Sequence, residues 1–146
     1  RDIYGEDYDA LLFYSAMLGP PPSQLDDATE TSGEALFRQT GCAKCHVPEL
    51  ETADGTPVRL YSDLLLHDVA PADYEGIESG EATMYEFRTP PLWGVGHSAP
   101  YMHDGLSETL DHAIRRHDGE ARSVRQSYEA LSEEDRSLLI DYLRGI

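Results

Sequence analysis

Gly41 is followed by Cys42, Ala43, Lys44, Cys45 and His46, a C-x-x-C-H run. Two thiols at this spacing on a short helical turn can each form a thioether with one vinyl group of a porphyrin. The adjacent imidazole then falls beneath the ring, where it can bind iron. The same residue types could also make a redox-active dithiol or half of a zinc site. A thioredoxin-like dithiol calls for a hydrophobic strand in front of it, whereas Glu34 to Gln39 reads as helix. A zinc site calls for a second Cys pair or a paired His run, and Cys42 and Cys45 are the chain's only cysteines. The motif points to one covalent haem c, attached through Cys42 and Cys45 and ligated by His46.

The opposite face of such an iron needs its own account. His117 shares an apolar helical stripe with Leu106, Leu110, Ala113 and Ile114. A buried imidazole requires a partner; iron is one and a backbone carbonyl is another. Met102 sits in a loop ahead of the final helices, where single-domain cytochromes often place a methionine ligand, although methionine is also a common gap-filler. Met84 lies in a similar loop, and His97 and His103 lie in Gly-rich loops that read as exposed. His117 is the leading candidate, Met102 the alternative, and an open position the third case. Two imidazoles give a low-spin, low-potential iron suited to electron transfer. A methionine raises the potential, and an open position admits peroxide or oxygen.

The elements around these residues divide the chain in two. Residues 1–18 read as a helix with Tyr8, Leu11, Leu12, Tyr14, Ser15 and Leu18 on its apolar face, stopped by Gly19-Pro20-Pro21-Pro22. A polar stretch through Thr31, with acids at Asp26, Asp27 and Glu30, reads as linker. Residues 1–31 are thus an appendage, and 32–146 a cytochrome c domain. Within it, Ser32 is the expected N-cap of the helix leading to the motif, and Asp54-Gly55 signals a turn that a short hairpin could use. Tyr61 to His67 reads as one helical turn against the haem edge. Pro90 and Pro91 exclude a helix interior and a central strand, while Leu92 and Trp93 need burial.

Ser107 is the expected cap of the helix bearing His117, which Asp118-Gly119 ends. His112 falls on its far side among Asp111, Arg115 and Arg116, a solvated face. The last helix starts at Ser132, with Leu138, Leu139, Tyr142 and Leu143 facing inward. A helix before the motif, loops over the haem and a closing amphipathic helix are the order of an all-α, class I cytochrome c-like fold. Its first and last helices cross, here with Phe37 and Tyr142 as the expected contact.

The chain's formal net charge of -17, with Lys44 its single lysine, disfavours nucleic acid and anionic membranes as partners. The acids are spread along the whole length, which suits solubility better than steering of one basic partner. No segment is apolar enough to span a bilayer, and no signal peptide is visible. The start at Arg1-Asp2 suggests a mature or trimmed product. Covalent haem attachment occurs outside the cytoplasmic membrane, so a periplasmic or extracellular location is expected.

From Gly33 onward the chain resembles the C-terminal haem domain of the di-haem oxidoreductase family, the thiol oxidoreductases related to bacterial di-haem cytochrome c peroxidases. The resemblance rests on Gly33-Glu34-Ala35-Leu36-Phe37, Gly41 through Pro48, Tyr61 through Asp68, Phe87 through Gly94, His103-Asp104-Gly105 and Leu110 through Ala121. Ala10 to Pro22 resembles the helix and Pro-rich connection before that domain. The resemblance implies that His117 occupies the distal ligand position. It also implies that Arg88, Thr89 and Trp93 lie against the haem, with Arg88 a candidate for a propionate. Family members carry a second C-x-x-C-H in an N-terminal domain, and this chain has one.

The expected function is single-electron transfer with another redox centre, either a partner protein or a second haem domain. One alternative is the electron-input unit of a peroxidase-like oxidoreductase. Another is a permanently docked haem subunit that uses the first helix for docking.

Overall fold

The computed structural model describes residues 4–146. Residues 1–3 of the expected first helix lie outside the described residues. The architecture is helical with little sheet, and its centre is the crossing of two helices. Helix α2 spans Asp27–Thr40 and α5 spans Glu133–Gly145, with α1 (Glu6–Met17), α3 (Leu110–Arg116) and α4 (Arg122–Glu129) completing the helical set.

Helix α2 begins earlier than Ser32. Asp26 caps it, its carboxylate accepting from the Thr29 amide at 2.7 Å, so the acidic stretch read as linker supplies the first turn. Glu30 is also recruited, pairing with Arg59 at 2.6 Å. At the other end Gly41 adopts the left-handed conformation (φ 102°) that closes the helix just before Cys42. Helix α5 starts at the expected cap, where Ser132 accepts from the Asp135 amide and donates to its carboxylate.

Phe37 and Tyr142 meet at the crossing with ring centroids 5.9 Å apart, and Tyr61 closes the cluster edge-on to both. Leu139 is fully buried in the same cluster. Each such side chain contributes about 1.5–3 kcal/mol by leaving water.

Two short antiparallel pairs shape the loops. Strands β1 (Leu50–Glu51) and β2 (Pro57–Val58) form the hairpin around Asp54-Gly55. Strand β3 (Leu66–Asp68) pairs with β4 (Glu86–Arg88), aligning His67 with Phe87. The segment read as a helical turn is therefore not helical: Leu66 and His67 join β3, and ahead of them Tyr61 and Leu64 take positive φ (54° and 62°), which breaks any helical course.

Three further expectations are corrected. Thr109, not Ser107, caps α3, its hydroxyl accepting from the His112 amide, and Leu106 is exposed ahead of the helix. Helix α4 falls where no element was expected. It buries Tyr128 completely, with the phenol donating to Asp111 at 2.7 Å. Helix α1 has no buried residue, and Phe13 and Met17 lie exposed opposite Leu11 and Leu18, so its apolar surface runs all round.

Candidate functional site

The C-x-x-C-H run folds as a 3-10 turn over Cys42–Lys44, and the His46 amide returns to the Cys42 carbonyl at 2.9 Å. The chain then runs beside residues 61–63. Asp63 donates its amide to Cys45, Ser62 to Val47, and Tyr61 to Pro48. This pairing brings the Tyr61 carbonyl against His46, whose Nδ1 donates to it at 3.0 Å. A carbonyl only accepts, so the proton sits on Nδ1 and the Nε2 lone pair is left for a ligand bond.

His117 is arranged the same way from the opposite half of the chain. It is the first residue past α3, in extended conformation (φ -63°, ψ 126°), and its Nδ1 donates back to the Ala113 carbonyl at 2.8 Å. Burial holds both imidazoles neutral. It pushes the His46 pKa down to about 4, helped by the nearby His117, and it also lowers that of His117. Both rings keep some exposed surface although protein packs densely around them. His46 and His117 are thus two neutral imidazoles with matched tautomers, near enough for the charge of one to act on the other.

Both cysteines are unlinked. Burial pushes the Cys42 thiol up to about 12, and burial with the charges of Asp63 and Glu120 raises Cys45. Two thiols on the turn that ends at His46, with two imidazoles whose Nε2 atoms form no hydrogen bond among the described residues, are a donor set that fits a haem c.

The remaining expected residues are distributed around this centre. Arg88 is exposed at the end of β4 and forms no ion pair or side-chain hydrogen bond among the described residues. Thr89 is buried; its amide donates to Leu65 and its carbonyl accepts from the Ser62 hydroxyl at 2.7 Å. Trp93 is half-buried on the turn that reaches α5, where Gly94 donates its amide to Ile146. Met102 and Met84 are half-buried, Met102 with positive φ (65°). His103 is exposed as expected, and its ring stacks on Phe87 at 3.6 Å and meets Tyr74 edge-on. His112 is exposed as expected, whereas Arg116 turns inward to both carboxylate oxygens of Asp104 at 2.9 and 2.5 Å.

Residues 5–146 match the family model described as "Di-haem oxidoreductase, putative peroxidase". The chain belongs to this family. Its name implies two haems, and the chain contributes one C-x-x-C-H. Among solved structures the chain is similar to hydrazine synthase of Kuenenia stuttgartiensis pressurised with 20 bar xenon, at 23% identity and a TM-score of 0.70. The likeness covers 99% of this chain and 56% of that one, so the chain spans little more than half of its structural neighbour. At this identity the likeness bears on fold alone. No curated protein matches by sequence. Membership of the family supports a haem-dependent redox role, and no described helix is long and apolar enough to cross a membrane.

Proposed function

We propose that the chain transfers single electrons through one haem c, attached at Cys42 and Cys45 and ligated by His46 and His117. The observation that carries this reading is the pair of neutral imidazoles, each with Nδ1 tied to a backbone carbonyl (3.0 and 2.8 Å). The haem, when bound, supplies a reversible one-electron couple at its iron. The chain's own part is to orient and enclose. The Tyr61 and Ala113 carbonyls fix the tautomers and make each imidazole a stronger donor. Burial of both rings keeps protons from competing for Nε2.

Arg88 is the proposed partner of a propionate, since it is exposed and has no carboxylate partner among the described residues. Trp93 is proposed to lie against the ring. Thioether attachment of this kind would put the protein in the periplasm or outside the cell, and the proposed electron partner is a redox protein or a second haem domain.

A second reading makes the chain the electron-input domain of a peroxidase-like di-haem oxidoreductase. The two haems in the family's name and the exposed apolar surface of α1 favour it. Optical and electron spin resonance spectra of the oxidised protein test the ligand set. A low-spin signal without a methionine charge-transfer band is expected. A methionine band moves the ligand to Met102 or Met84, and a high-spin signal replaces electron carriage with an open, catalytic site. Oxidation by peroxide after partial reduction identifies the second reading.

A further inference from the structure

His67 lies between the two halves of the site. Its Nε2 meets Asp63 at 2.7 Å and its Nδ1 meets Glu120 at 3.0 Å. A carboxylate accepts at each ring nitrogen, so both nitrogens donate and the ring carries its proton. Each end of this bridge leads to the chain neighbour of a proposed ligand. The Asp63 amide donates to the carbonyl of Cys45, the residue before His46, at 2.9 Å. The Asp118 amide, next to His117, donates to Val69 at 3.1 Å, and the other Glu120 oxygen accepts from the Asp68 amide at 3.1 Å. Gly119, between them at φ 53°, packs so closely that a Cβ there would lie 2.4 Å from the Asp68 carbonyl oxygen. Segments 67–69 and 118–120 are therefore laced together at three points, and His67 joins them to the haem-attachment turn.

We infer that His67 is a positioning residue whose Asp63–His67–Glu120 bridge sets the spacing between His46 and His117. The inference rests on the ligand assignment above. A cluster of Cys45, Asp63 and His67 with ligand atoms within 4.8 Å could suggest a metal site instead. However, Asp63 and His67 already satisfy one another, and Cys45 is committed to attachment.

The test uses haem-loaded wild type, Glu120→Ala, His67→Phe and the control Arg38→Ala, which breaks an exposed pair of comparable length (2.6 Å) on α2. Oxidised spectra and midpoint potentials are measured for each. Removing Glu120 deletes a negative charge and removing His67 a positive one. A purely electrostatic role therefore shifts the potential in opposite directions, with the spin state unchanged. A positioning role predicts a high-spin fraction in both variants and an upward shift of potential in both, because a loosened imidazole favours the oxidised iron less. Arg38→Ala is expected to match wild type. Opposite shifts, or wild-type spectra in both variants with only lower unfolding temperatures, overturn the inference alone. A wild-type protein lacking the two-imidazole low-spin signal overturns the ligand assignment and this inference with it.

Discussion

Gly33 on α2 lies directly against Tyr142 on α5: a Cβ at position 33 would sit 2.3 Å from the Tyr142 Cβ and 2.6 Å from its Cγ. Those atoms are anchored to the α5 backbone and cannot swing aside, so the two helices can approach this closely only over a glycine. Alanine normally improves a helix by about 1 kcal/mol over glycine, but overpacking a close contact costs about 1–3 kcal/mol or more. Gly33→Ala is expected to destabilise the protein by about 2 kcal/mol in urea unfolding. A stabilised variant would show that the crossing is looser than described.

Tyr128 tests whether α4 belongs to the core. It is fully buried and donates to Asp111 on α3, which also accepts from Arg115 at 2.9 Å. A hydrogen bond to a carboxylate is worth about 1.5–3 kcal/mol. Tyr128→Phe keeps the packing and is expected to lose about 2 kcal/mol by denaturant titration. A change below about 0.5 kcal/mol, the scale of ordinary surface substitutions, would place α4 outside the cooperative core.

The pairing of Asp104 with Arg116 predicts an acid-sensitive stability. The guanidinium holds the Asp104 carboxyl well below the usual carboxylate range. A group whose folded pKa is depressed stabilises the fold above its unfolded value of about 3.9 and loses that contribution as pH falls through the folded value. Wild type should therefore exceed Asp104→Asn in stability at neutral pH, with the gap closing as pH drops from about 4. A gap independent of pH between 7 and the acid limit would assign the variant's effect to packing instead.

His117 can be replaced by a soluble ligand. His117→Gly is expected to leave the oxidised iron high-spin, and added imidazole should restore the low-spin optical spectrum. If the glycine variant stays low-spin unaided, another side chain holds that position.

How far the sequence spoke differs from residue to residue, for physical reasons. The turn through Cys42, Cys45 and His46 is legible because the C-x-x-C-H spacing is local to the chain. The Phe37–Tyr142 contact is legible because helical periodicity projects side chains onto one face, whereas His117 stands just past the end of α3, where that periodicity no longer applies. Helix starts were ambiguous wherever two capping residues stand close together: Asp26 was passed over for Ser32, and Thr109 for Ser107. Helix α4 was missed because its apolar content is Val124 and Tyr128 alone, too little for a periodic signal. Strands β3 and β4 are three residues each and exist only through pairing with one another. The bridge from Asp63 through His67 to Glu120 joins residues far apart in the chain. Only folding brings them together.

The start of α2 and the end of α5 close on each other: the Gln24 amide donates to Gly145, Leu25 packs over Gly145, and Gly94 secures Ile146. The path into this unit and the path out of it therefore share one spot on its surface. A unit with adjoining entry and exit can be spliced into a loop of a host protein, or its order of segments rotated, with little disturbance to the host's geometry. In engineering terms it is a cassette whose boundaries must keep both Gln24 and the buried Ile146.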